Sequence, residues 1–359
     1  MSNGLTTNIL HQAPEALQEP WRFTPVKQLA DFFTGDYQCG NLNLTWQNPN
    51  SNLTLTTEKI ESISNSIDQS TQIVRERCLE TAVLTFPRNF ESSENIVIAR
   101  QFKPGVNVSR LRIVVQENSH FTLVIDNQGI ADLVEEIEVI VGPGSNLKFI
   151  SLQQWAPTSR HLGRIHAKVE RDARLVSDVI SIGGKIIRLL PTVEFGGPGA
   201  EAELNGLYFA NDGAHSEHRI HVDHGVPEAK SRVHYKGALS GESSHSVWFG
   251  DVYIRANAVN TDTYELNRNL ILTEGARADS VPNLEIETGD IVGAGHASTT
   301  GRFDDDQLFY LMSRGIDSAT ARKLVLRGYF AEIIDKLGVP ELQERITQVL
   351  ETELEKVDR

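Results

Sequence analysis

The sequence predicts a mainly β protein, with a right-handed parallel β-helix core, a small N-terminal region and a C-terminal helical region. Three observations predict it. From about Ala82 short apolar strands follow one another with turn residues between them, and no long helix interrupts them. Apolar positions that follow small or Gly-containing turns recur roughly 28–29 residues apart, the spacing of a coil that stacks on itself. From Asp304 onward the period becomes helical. A β-sandwich is the alternative that periodicity alone leaves open.

Residues 1–80 make up the N-terminal region. Short helical pieces are expected around Glu15 to Leu17 and from Val26 to Phe33. From Asn41 to Gln72 the chain is rich in Asn, Ser, Thr and Gln and poor in charge. Such a stretch buries little and reads as loop or weak strand, in part disordered.

Residues 81–300 are the β-helix. Expected strands run Leu111 to Val115, Phe121 to Ile125, Ile137 to Val141, Leu147 to Leu152, Leu175 to Ile182 and Leu204 to Phe209. Others are Arg219 to Val222, Arg232 to Tyr235 and Val247 to Ile254, with Ile271 and Ile286 marking the last. The repeat is carried by Leu147, Leu175, Leu204 and, more loosely, Val233. Each coil buries its inward side chains against the coils above and below.

Residues 301–359 are helical. Asp304, Asp305 and Asp306 supply a cap ahead of Leu308, Phe309, Leu311 and Met312. Gly315 is a stop, and Asp317 with Ser318 restarts a second helix. Gly338 to Pro340 breaks that helix before a third, amphipathic one on Leu342, Ile346, Val349, Leu350 and Leu354. Gly328 interrupts the second helix, and close packing is its expected reason.

The 359 residues carry a net charge of −14, which argues against a nucleic-acid partner. No apolar run approaches the roughly 18 residues of a membrane span. The N-terminus lacks the basic start and apolar block of a signal peptide, so the expected location is the cytoplasm. The sequons at Asn43, Asn52 and Asn107 then read as chance matches. Two cysteines, Cys39 and Cys78, make neither a disulfide framework nor a Cys-rich metal site.

The series His215, His218, His221 and His224 has the most metal-like spacing in the chain. On a strand, however, His218 and His224 share one face while His215 and His221 share the other, so one ion cannot take all four. His218 and His224 are the weak metal candidates. The Asp304 to Asp306 run lacks the spaced loop of an EF-hand, and helix capping explains it. Gly293-Ala-Gly295 imitates the start of a dinucleotide loop but has Ser298 at the third glycine. No Walker A, nucleophile-elbow or H-E-x-x-H motif occurs, so no nucleotide site and no catalysis are expected of this chain.

Three stretches carry a resemblance. They are HVDHGVPEAKSRVHYKGAL from His221, SVWFGDVYIRANAVNTDTYELNRNL from Ser246, and the passage from Tyr264 to Ala331 around Gly293-Ala-Gly-His296. Over about residues 82–335 the chain resembles the SufB/SufD family of iron–sulfur cluster assembly scaffolds, on the SufD side. No thiol follows Cys78, and Ala294 stands where many relatives have Cys.

The resemblance implies a non-catalytic scaffold paired with a SufB-like subunit through the β-helix, and a homodimer when isolated. It implies that His296 faces that partner where a transient cluster or its iron is held, with reduced flavin in the complex. Thiolate would then come from the other subunit. It also implies that the C-terminal helices dock a SufC-like ABC-type ATPase. Phe309, Tyr310, Arg314, Arg327, Tyr329 and Phe330 are the candidate contacts; the plainer reading of those helices is a packed bundle.

Two other classes compete. A β-helix acting on polysaccharides would use acids such as Glu265, Asp279, Glu285 and Glu287, though no aromatic stripe accompanies them. A stand-alone metalloprotein would use the histidine series.

Overall fold

The computed structural model describes residues 13–15, 18–35, 37, 39–40, 44–47, 53–65, 67–100 and 102–357. Strands alternate between two sheets. One runs, in spatial order, β1 (Leu44–Gln47), β4 (Ile96–Arg100), β6 (His120–Gly129), β8 (Asn146–Trp155), β10 (Arg174–Gly183), β12 (Glu201–Ala210), β14 (Lys230–Leu239), β16 (Thr261–Ile271) and β18 (Ile291–Arg302). The other runs β2 (Thr54–Glu58), β3 (Thr81–Phe86), β5 (Val106–Val115), β7 (Asp132–Val141), β9 (Arg160–Val169), β11 (Ile186–Phe195), β13 (His215–His224), β15 (His245–Ile254) and β17 (Arg277–Ile286).

Pairing from β3 and β4 onward is parallel; only β1 on β4 and β2 on β3, among the described residues, are antiparallel. This is a parallel β-solenoid of about eight turns, not a sandwich, because successive strands switch sheets instead of forming hairpins.

The sequence repeat is the pairing register. Leu147 lies opposite Leu175, and Leu204 lies opposite Val233. Between those pairs Leu175 meets Ala202, a slip of two residues that keeps the same face inward. At one corner the left-handed conformation recurs from coil to coil, at Asn89, Asn118, Gly144, Asp172, Gly199, Glu228 and Asn260, and Gly213, Gly241 and Gly275 repeat it at another. Asn, Asp and Gly tolerate that region best. The Asn118, Gly144 and Asp172 N–H groups each bond a carbonyl at the next coil's corner.

Strands β9 and β11 carry no clear apolar alternation in the sequence. Arg160, Arg164 and Lys168 interrupt the first, and Pro191 sits inside the second. Both are nevertheless central strands, because neighbouring coils bury them.

The described residues of the N-terminal region pack as a layer on the solenoid, where the sequence reads as a loosely organised region. Weak strands form at β1 and β2, and the helical piece expected from Val26 to Phe33 is a 3-10 turn (Val26–Leu29) running into α1 (Ala30–Thr34), but α2 (Gln69–Arg77) forms where loop or weak strand was expected. Asp68 caps α2 by accepting from the Thr71 N–H. Trp21, Leu29, Phe32, Phe33, Ile73 and Val74 bury against Val108, Val134, Leu162 and Ile186, which point outward from the odd-numbered sheet. Beneath this layer Arg188 joins Asp68 at 2.5 Å and Glu217 at 3.2 Å. The helical piece expected at Leu17, the sequons at Asn43 and Asn52, and the disorder expected at 41–43 and 48–52 lie outside the described residues. Asn107 is buried, with its amide donating to the Lys103, Gly105 and Asp132 carbonyls, which leaves no room for a glycan.

The two cysteines form a disulfide. Read from the sequence they are two thiols, too few for a disulfide framework. Docking decides otherwise: Cys39 pairs with Val108 as an isolated bridge, beside Cys78 at the C-terminus of α2. No free thiol remains.

The C-terminal elements are α3 (Asp305–Ser313), α4 (Ser318–Lys336) and α5 (Pro340–Val357). Asp304 accepts from the Asp306 and Gln307 N–H groups, and Asp317 accepts from that of Thr320. Leu326, Phe330 and Ile333 of α4 and Leu337 at its C-terminal cap, with Ile346, Leu350 and Leu354 of α5, pack on outward Ile150, Leu152, Ile180, Ile182, Leu207 and Phe209. Gly328 lies exposed, and a side chain there would meet nothing within 4 Å, so close packing is not its reason. No described helix is long and apolar enough to cross a membrane.

Candidate functional site

The two ends of the solenoid differ. At the N-terminal end the edge strands β1 and β2 are only four and five residues long and antiparallel to their neighbours, and none of their described residues is buried. At the other end β17 and β18 are edge strands, and no residue of either is buried. The lumen of the last coil is therefore open.

His296 sits in the middle of β18, not in a turn after it. Parallel register partners share a face, and the partner of His296 is Glu265 of β16. Glu265 points into the lumen beside Trp248, so His296 stands on the lumen face at the open end, exposed. Asn267 and Asn269 continue this face. The Asn269 amide donates to the Ser280 hydroxyl at 3.1 Å and to the Thr300 hydroxyl at 3.4 Å, and Asn267 donates to the Tyr208 hydroxyl at 3.2 Å. Polar groups here tie β16, β17 and β18 together where apolar packing runs out.

Glu265 itself is 1% exposed, and neither carboxyl oxygen has a hydrogen-bond partner among the described residues. Burial, and then the nearby Asp251 charge, push its pKa up to about 8. No sequence motif marks this residue; its one signal is lying a coil earlier than His296 in the same phase.

The histidine series divides as strand alternation demands. His218 and His224 face the lumen. His218 stacks on Tyr208, and its ring shares a hydrogen bond with Ser181. His224 packs on Phe195 and bonds Ser231. Burial lowers them to about 3 and about 4 respectively. Six positions on one strand separate them by roughly 20 Å, so they do not converge. Outside, the His215 ring meets Glu217, and His221 packs against Tyr253. Among the described residues no group of three or more His, Cys, Asp and Glu side chains is arranged to hold a metal.

The acids weighed for a polysaccharide site do not share a groove. Glu265 is lumenal, whereas Asp279 turns outward to His245 and Arg277. Gly293 and Gly295 lie within β18, not at a strand-to-helix turn, so they form no phosphate loop.

The family model of the SUF system FeS cluster assembly, SufBD core domain, matches residues 97–329. The chain belongs to the SufBD family. An iron-sulfur cluster assembly SufBD family protein of Mycobacterium tuberculosis is 42% identical over 357 residues, covering 96% of this chain and 90% of that one. One from Mycobacterium leprae is 41% identical over 359 residues, covering 96% and 91%. The iron-sulfur cluster assembly protein SufD of Escherichia coli is 28% identical over 206 residues, covering 57% and 48%.

In this SufBD chain the matched span takes in His296, α3 and most of α4, and leaves out the N-terminal layer and α5. Of the six candidate contacts on the helices, Phe309 is 72% exposed and Tyr310 57%, with Met312 and Leu324 also exposed beside them. Arg314 lies over the Tyr310 ring. Arg327 is exposed and pairs with Glu351 on α5. Tyr329 is half-buried, its hydroxyl donating to the Gly237 and Arg268 carbonyls. Phe330 is fully buried against the solenoid and cannot present its ring to a partner. The bundle reading thus holds for the inward face of α4, while Phe309, Tyr310 and Arg327 lie on the outward surface.

Proposed function

We propose that this chain is a scaffold subunit of iron–sulfur cluster assembly whose open end pairs with a second SufBD-type subunit. The observation that carries the reading is the uncovered last coil: two edge strands without one buried residue, with His296 on their lumen face. An open edge of that length invites strand pairing. The chain has no free thiol, so a cluster handled at His296 would take its thiolates from the partner. In Mycobacterium leprae two SufBD family proteins resemble this chain, at 41% and 26% identity, which supports pairing between unlike members.

Iron or a nascent cluster is the cargo of this joint. His296 offers one neutral nitrogen donor to it. The exposed face of α3 and the start of α4, around Phe309, Tyr310 and Arg314, docks an ABC-type ATPase. Tyr329 and Lys236 link α4 to the solenoid: Lys236 donates to the Tyr329 carbonyl and to Glu332, and Tyr329 reaches Arg268 on β16. A nucleotide-driven shift of the helices therefore reaches the strand next to β18.

Cutting the chain after Thr300 is a poor test, because it strips the cover from Ile150, Ile180, Leu207 and Phe209. Co-purification from cells expressing SufB-like and SufC-like partners tests the proposal with point variants. Phe309→Ala with Tyr310→Ala should lose the ATPase and keep the paired subunit. Ile286→Lys with Val292→Lys, at exposed positions of the edge, should lose the paired subunit. Retention of both partners by both variants would refute the two interfaces.

A further inference from the structure

Glu265 is buried, carries no hydrogen bond at either oxygen, and faces the lumen at the uncovered end. Its neighbours make room for it without bonding it. A side-chain carbon at Gly250, across the lumen on β15, would lie 2.8 Å from each Glu265 oxygen and 2.4 Å from the Trp248 ring. The donors closest along β16 are committed elsewhere: Asn267 to Tyr208, and Asn269 to Ser280, Thr300 and Asn267. A buried polar group with no partner calls for an explanation outside ordinary packing.

The register supplies one. Glu265 and His296 are Cα partners on the same face, one strand spacing apart, about 4.8 Å. Beyond β18 no described strand follows, so the side of His296 away from Glu265 is open. An imidazole nitrogen and a carboxylate oxygen together suit divalent first-row metal ions, manganese and iron among them.

We infer that Glu265 and His296 form half of a binding site for a divalent first-row metal ion, completed from whatever seats on the β17–β18 edge. The inference rests on the reading of His296 given above and adds a second protein ligand to it. It explains why the carboxyl is left without a protein partner, and why Gly250 keeps the space around it clear.

Manganese(II) is the probe, added to the purified full chain and followed by loss of the free-ion electron paramagnetic resonance signal. Saturable uptake is expected at millimolar metal or below. Glu265→Gln and His296→Ala should each weaken it by at least about tenfold. Glu265→Leu should abolish it while raising the thermal midpoint, because it replaces an unpartnered buried carboxyl with a packed side chain. Circular dichroism checks that each variant is folded.

No saturable uptake by the wild-type chain overturns the inference. Unchanged affinity in Glu265→Gln, with loss in His296→Ala, overturns it while leaving the reading of His296 standing. Unchanged affinity in His296→Ala overturns both. A lower midpoint in Glu265→Leu would make the carboxyl a structural group, and the inference would fail with it.

Discussion

Burying an ionisable ring inside a solenoid has a measurable consequence at His218. Its pKa falls to about 3 in the folded chain, against about 6.5 when exposed. Between those values the unfolded chain carries a proton that the folded chain does not. The stabilising term is therefore complete above about pH 6.5 and is lost as pH falls toward 3. His166, at about 3, and His224, at about 4, act in the same direction. His218→Phe should flatten the dependence of unfolding free energy on pH by about 1.4 kcal/mol per unit between about pH 4 and 6. Urea denaturation across that range reads it; parallel wild-type and variant curves would mean that the ring is protonated where it lies.

On the outer face, Arg188 neutralises two carboxylates under the N-terminal layer and lies 4.0 Å from the Trp21 ring. Arg188→Met takes the paired cation from Asp68 and leaves Glu217 to Arg219 and His215, and should cost roughly 3–5 kcal/mol in the same measurement. A loss under about 1 kcal/mol would show that water reaches them.

Among the elements, the C-terminal helices were legible almost to their ends, because their signals are local. A cap at Asp304 or Asp317, and stops at Gly315 and Gly338, act within one turn. Gly328 is the exception. Nothing packs on it, so Gly328→Ala should stabilise α4 by about 1 kcal/mol, seen as a higher thermal midpoint. A lower midpoint would reveal an unseen steric demand. Strands β9 and β11 were not legible, since what holds them is the coil on either side. α2 went unread for the same reason: its short apolar face, Ile73 and Val74, has meaning only against Val134 and Leu162. His296 was located through its motif, whereas Glu265 was weighed among scattered acids, because only the register sets it beside His296.

For the whole molecule, the uneven burial of the coils sets where the fold opens first. Backbone amides in β17 and β18 should exchange with solvent orders of magnitude faster than those in β8, β10 and β12, whose inward residues lie under neighbouring coils. Hydrogen exchange followed by mass spectrometry reads this directly. Slow exchange at both edges in the isolated chain would point to self-pairing of that end. Binding of a second SufBD-type subunit should slow these strands first.

The sequence by itself determined the coil period, the small-residue turns, the helical tail, the shortage of thiols and the place of His296 in the chain. Each depends on residue type and on spacing along the backbone. The tertiary structure alone decided that Phe330 turns inward, that Cys39 meets Cys78, that the N-terminal segment is a packed layer, and that Glu265 lies one rung from His296. Those outcomes depend on stacking, which brings together residues a whole coil or more apart, and no local pattern encodes which of their faces is covered.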